Sequence, residues 1–170
     1  MIICLDAGHT YGLNGKGKDP GAVNARLGIK ESVIALEIVK RLSSMLYDKD
    51  HVVILTRDNG DSDLTLKKRC EIANQARCDI FISIHLNSSD NTSANGIETL
   101  RYDSSSSVKL ANQVQASLIK ATGARDRGVK IRNDLYVLKH TIMPAILVEV
   151  GFISNKEEGL KLNDPQYQIT

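Results

Sequence analysis

Apolar positions change their period along the chain. Residues 1–6 (MIICLD) form a short apolar run that stops at Asp6-Ala7-Gly8-His9 and reads as a buried strand entering a loop. Between residues 10 and 28 the periodicity disappears, and five glycines with Pro20 predict a long irregular loop. Loops this long in compact domains are often functional. From 29 to 47, Ile29, Val33, Leu36, Val39, Leu42 and Leu46 recur three or four apart, which predicts an amphipathic helix. Residues 51–56 (HVVILT) and 79–84 (DIFISI) read as strands. They flank a helix over 65–77 with Leu66, Cys70, Ala73 and Ala76 inward. A polar Ser/Asn loop precedes a fourth strand at 96–102, and a helix over 108–122 stops at Gly123, a favoured C-terminal position for glycine. Residues 135–138 and 145–150 read as two more strands. A last helix over 155–162 is capped by Asn155 or Ser154, with Glu157 and Glu158 suiting its dipole.

Strands alternating with helices predict a single α/β domain: a twisted, mostly parallel sheet of about six strands with helices on both faces. The link between the third and fourth strands is too short for a crossover helix, so one strand is expected to run antiparallel. Residues 164–168 read as the start of a further helix, which predicts that the chain continues beyond Thr170.

Composition narrows the function classes. A length of 170 residues suits one domain with one core. The absence of Trp and a net charge of +2 argue against a nucleic-acid partner. No run approaches the ~20 apolar residues that span a bilayer, so no membrane insertion is expected. Met1 leads straight into the first strand without a basic stretch, so no signal peptide is expected. Cys4, Cys70 and Cys78 cannot all pair with one another and read as small buried hydrophobes.

The chemistry gathers at strand ends. His9 follows the first strand, His85 follows the third, and Glu149 lies near the end of the last. In open α/β sheets ligands bind beyond the carboxyl ends of the strands, so these residues should share one rim, with Glu31 opening the first long helix nearby. Two imidazoles and a carboxylate are a common ligand set for catalytic zinc, and a further carboxylate can move protons. Glu149 lies within AILVEVGF, where burying a carboxylate is costly unless it is paired or faces a cleft. No local H-E-x-x-H signature is present, and each histidine could equally be a solvated strand-end group.

Several stretches, in order, carry a resemblance that spans nearly the whole chain. They are residues 3–9 (ICLDAGH), 19–22 (DPGA), 28–31 (GIKE), 55–57 (LTR), 69–74 (RCEIAN), 83–87 (SIHLN), 96–99 (GIET), 126–129 (DRGV), 136–138 (YVL) and 143–155. Together they resemble the zinc-dependent N-acetylmuramoyl-L-alanine amidases of bacterial autolysins and phage endolysins. The resemblance implies one Zn2+ per chain held by His9, Glu31 and His85, with Glu149 as the catalytic carboxylate. It implies a peptidoglycan hydrolase acting on muramyl peptides in the bacterial wall, with residues 1–170 as the catalytic domain. A wall-binding domain following in the full-length protein, and either endolysin-type release from the host cytoplasm or a trimmed secreted autolysin, fit the same resemblance. The alternative enzyme reading is a zinc peptidase cutting within the stem peptide. The chain departs from the family pattern in Thr10-Tyr11 after the first histidine and in a longer loop over 11–18.

The remaining polar residues read as follows. His51 and His140 are surface or supporting groups. Lys67-Lys68-Arg69 is a solvated helix face. Asp126-Arg127 divides between substrate contact and loop anchoring, and Asn87 between fixing its loop and supporting the ligands from behind.

Overall fold

Side chains alternate faces along the first strand, β1 (Ile2–Ala7), and this alternation organises the molecule. Ile3, Leu5 and Ala7 point into one hydrophobic cluster and Cys4 into another on the opposite face. The computed structural model describes residues 1–10, 19–59 and 64–170; the expectation of a lengthened 11–18 loop lies outside them. β2 (Val23–Asn24) and β3 (Ile29–Lys30) form a small antiparallel pair. There follow α1 (Glu31–Tyr47), β4 (Val52–Leu55), α2 (Leu66–Gln75), β5 (Ile80–Asn87) and β6 (Ile97–Arg101). The chain continues through α3 (Ser105–Thr122), β7 (Asp126–Ile131), α4 (Tyr136–His140), β8 (Ala145–Phe152) and α5 (Lys156–Leu162). It closes with a 3-10 turn at Tyr167–Ile169.

Among the described residues, six strands form one sheet in the order β4-β1-β5-β8-β6-β7, flanked on one face by α1, α3 and α5 and on the other by α2 and α4. The expected α/β architecture with a mostly parallel sheet of six strands is therefore present. β6 does run antiparallel to β8, but β7 runs parallel to β6, so two strands oppose the rest.

One element differs in kind. Residues 135–138 belong to the entry and first turns of helix α4, not to a strand. Four apolar residues cannot distinguish the two by pattern alone, and Val137 and Leu138 are both buried, as adjacent residues on a short helix can be. The sixth strand is β7, an edge strand with exposed Asp126, Lys130 and Ile131 and no apolar alternation to announce it. Charged side chains on an edge discourage pairing with other chains. Asn155 caps α5, its side chain accepting from the amides of Glu157 and Glu158, and Gly123 ends α3 in the left-handed conformation. Leu66 is 54% exposed, because it begins α2 at the rim rather than over the sheet. Arg69, in contrast, is buried at 3% exposure and is not part of a solvated face.

Candidate active site and metal centre

Strand register places the key groups. In the β5–β8 pairing His85 lies opposite Glu149, and in the β8–β6 pairing Glu149 lies opposite Glu98. Residues directly opposite one another share a face, so His85, Glu149 and Glu98 form one row across three strands. His9 leaves the end of β1, which neighbours β5 on its other side, and Glu31 opens α1.

His9, Glu31 and His85 come together. One ligand atom from each lies within 4.8 Å of the others. Glu31 Oε1 is 3.1 Å from His9 Nε2 and 2.9 Å from His85 Nδ1, and accepts from the Leu86 amide at 3.0 Å. Glu31 Oε2 accepts from the Ala22 amide at 2.8 Å. Donor atoms ~2.1 Å from a tetrahedral ion lie ~3.4 Å apart, so both imidazole-to-carboxylate separations suit a shared divalent cation. The other ring nitrogen of His9, Nδ1, lies 2.9 Å from Asp19 Oδ2, although out of line for a well-directed hydrogen bond. A carboxylate behind a histidine is the usual way of orienting a metal-bound imidazole. The donor set therefore fits a metal ion.

Burial would raise the pKa of Glu31, but hydrogen bonds and positive charge from His85 and His9 outweigh it and hold the carboxyl well below its ordinary range. Burial would lower that of His9. Glu31 and then Asp19 outweigh it and raise the imidazole to about 9 in the metal-free protein.

Two glycines make this crowding possible. A Cβ on Gly8 would sit 2.5 Å from the His85 ring. On Gly21, at φ +68°, it would lie 2.6 Å from Glu31 Oε2 and 2.7 Å from His9 Cδ2. His9 itself adopts φ 57°, an uncommon conformation for a residue with a side chain.

Glu149 stands beside this cluster without belonging to it. Its Oε2 is sealed from solvent and has no hydrogen-bond partner among the described residues. Burial first, then the charges of Glu31 and Glu98, raise its pKa to about 7 against the opposing pull of His85 and His9. A carboxyl poised near neutrality can both take and give a proton. Glu98 is held ionised despite burial by Lys130 Nζ at 2.5 Å and Arg127 Nε at 2.9 Å.

The other sequence candidates resolve as supports. Asn87 donates to Glu98 at 3.1 Å and accepts from the Ser88 amide. Asp126 anchors its loop, accepting from Gln115 and the Gly128 amide. Arg127 pairs with Glu98 and stacks 4.8 Å over Phe152. His51 precedes β4 at the end of the sheet away from the ligands, and exposed His140 stacks on Tyr136. Sequence reasoning missed Asp19, Gly8, Gly21 and Glu98 as parts of the site. The DPGA and GIET stretches were the available signals, but nothing in them specifies what each residue touches. A cleft of about 280 Å³ opens from His9 and His85 toward Leu66, Arg69 and Tyr136.

The family model described as N-acetylmuramoyl-L-alanine amidase matches residues 3–170. The chain is 37% identical over 169 residues to the N-acetylmuramoyl-L-alanine amidase LytC of Bacillus subtilis, covering 98% of this chain and 32% of that protein. It is 40% identical to the endolysin of Bacillus phage SPP1, covering 98% of this chain and 60% of the endolysin. The chain thus spans less than two thirds of either relative. Among solved structures, the catalytic domain of CwlV, an amidase from Bacillus (Paenibacillus) polymyxa, superposes with a TM-score of 0.89 at 36% identity, covering 99% of this chain and 89% of that one.

Proposed function

Since the chain belongs to the N-acetylmuramoyl-L-alanine amidase family, we propose that it hydrolyses the amide between N-acetylmuramic acid and the first L-alanine of the peptidoglycan stem peptide, with His9, Glu31 and His85 as ligands of one zinc ion and Glu149 as the catalytic carboxylate. The observation that carries this reading is the convergence of two imidazoles and a carboxylate within 4.8 Å, beside Glu149, whose Oε2 is sealed and unpartnered among the described residues.

When bound, zinc would polarise the scissile carbonyl and acidify water at the same centre. The protein's own part is to hold and move protons. Asp19 behind His9 Nδ1 and the Leu86 and Ala22 amides on Glu31 hold two of the ligands in orientation. Glu149 takes the proton of the attacking water and returns it to the alanine nitrogen as the carbon–nitrogen bond breaks. The products are a muramic carboxylate and a free α-amine. The place of action is the bacterial cell wall. Among the described residues no helix is long and apolar enough to cross a membrane.

The test combines metal analysis with mass spectrometry of digested peptidoglycan. The proposal expects one zinc per chain, loss of wall clearing on chelation and its return with zinc. It also expects intact stem peptides bearing a free alanine amine. Fragments cut within the stem would identify a zinc peptidase instead, and wall binding without cleavage would overturn the enzyme reading.

A further inference from the structure

Arg57 and Arg69 lie outside the ligand cluster, yet they are 2% and 3% exposed. Burying guanidinium groups costs several kcal/mol each unless their donors are well used. Here they are spent on the backbone that carries the ligands. Arg69 donates from Nη1 to the Ala7 carbonyl and from Nη2 to the His9 carbonyl, both at 2.7 Å. Arg57 donates from Nε to the Ala7 carbonyl at 3.0 Å and from Nη2 to the Gly8 carbonyl at 2.8 Å. The two side chains therefore hold three consecutive carbonyls ending at His9. Arg57 Nη2 also donates to the carbonyl of Ser32, the residue after Glu31, at 2.7 Å. One guanidinium thus ties the segment bearing His9 to the segment bearing Glu31. Asp6 orients Arg69 through a 2.5 Å ion pair, and Asp6 is itself fixed by Thr56 and Ser83 at 2.6 Å each.

We propose that Arg57 and Arg69 are positioning residues that preorganise the metal centre: Arg69 locks His9 in its left-handed backbone conformation, and Arg57 sets the span between His9 and Glu31. A residue held at positive φ costs of order 1–3 kcal/mol and persists only where its surroundings over-determine it. The planar fork of arginine reaches two or three carbonyls at once, and a lysine ammonium in the same place does not reproduce that geometry. The inference rests on reading His9 and Glu31 as ligands.

The test is zinc affinity, measured by chelator competition, in Arg57→Lys and Arg69→Lys, alongside the visible spectrum of the cobalt-substituted proteins. Each variant should bind zinc ~10–100-fold more weakly, the usual cost of losing an orienting contact, with shifted cobalt bands. Gln115→Ala serves as control. Gln115 is buried on the α3 side, where it bonds Thr99, Ile97 and Asp126, so its loss should destabilise the fold while zinc binding stays as in the wild type. If Arg69→Lys does not fold, Arg57→Lys decides. Affinities within twofold of wild type with unchanged spectra, or an equal loss in Gln115→Ala, would overturn the proposal. Failure of the wild type to bind zinc would instead refute the ligand assignment. Positioning is then judged in the metal-free protein by the strong amide-to-α-proton cross-peak that marks a left-handed His9: its loss in Arg69→Lys supports the lock, and its persistence refutes it.

Discussion

Replacing Glu149 with Gln separates proton transfer from metal binding. Glutamine keeps the shape of the side chain but can neither accept nor release a proton at neutral pH. Positioned acid–base groups contribute ~10²–10⁴ in rate, equivalent to roughly 3–5 kcal/mol of barrier at about 1.4 kcal/mol per decade. Because Glu149 takes no part in the three-residue cluster, zinc stoichiometry should stay at one per chain. The fold should also hold. Among the described residues Glu149 Oε2 has no hydrogen bond to lose, and an unsatisfied amide donor in its place costs about 1–3 kcal/mol, within the margin of an ordinary domain. The assay is steady-state hydrolysis of a muramoyl dipeptide, followed by appearance of the alanine amine, with metal content and melting temperature measured on the same samples. The expected pattern is kcat down by at least a hundredfold, KM little changed and zinc retained. Activity within fivefold of wild type in zinc-loaded, folded Glu149→Gln would refute the acid–base role. Loss of zinc together with activity would place Glu149 among the ligands.

Three other outcomes follow from the packing. Gly8→Ala should displace the His85 ring, which would lie 2.5 Å from the new methyl, and lower zinc content and activity together; full zinc occupancy would contradict the close approach. Burial raises the pKa of all three cysteines, that of Cys70 to about 11, so the thiol form persists at pH 8. A disulfide exchange reagent should then titrate no thiol in the native protein and three after denaturation. Asp6→Asn should lose roughly 3 kcal/mol or more at pH 7, the order expected on breaking a buried ion pair. Arg69, Ser83 and Thr56 outweigh burial and hold the Asp6 carboxyl below its usual 3.8. Its stabilisation is therefore present above that pH and lost as pH falls through the lower folded value. Denaturation curves of wild type and variant should converge in that acid range, and a gap independent of pH would exclude the ion pair as its origin.

Much of the fold and the central chemistry was legible because periodicity and placement agree. β1, β5 and β8 are nearly continuous apolar runs, the mark of buried central strands, and His9, His85 and Glu149 fall where such strands end. The rest was hidden for physical reasons. β7 is a polar edge strand, so burial leaves no alternation in it. The YVL run is too short for its period to be read. Arg69 looked solvated beside Lys67 and Lys68, because a charge run does not disclose that one member turns inward to a buried aspartate that it touches in space but that lies sixty-three residues away in sequence. Asp19 and Gly21 act through what they face, which spacing along the chain does not encode.

The shared rung of His85, Glu149 and Glu98 bears on how the proposed site can be altered. Side chains on a strand switch sides at every step, and Val148 and Val150 bracket Glu149. Deleting or inserting a single residue upstream of Glu149 within β8 would swing the carboxylate to the far side and offer a valine to the substrate instead. Rim loops that bear neither a ligand nor the supporting Asp19, Gly21 and Ala22 can therefore be lengthened or grafted with the site intact, whereas the strand lengths behind it are closed to single-residue insertion and deletion.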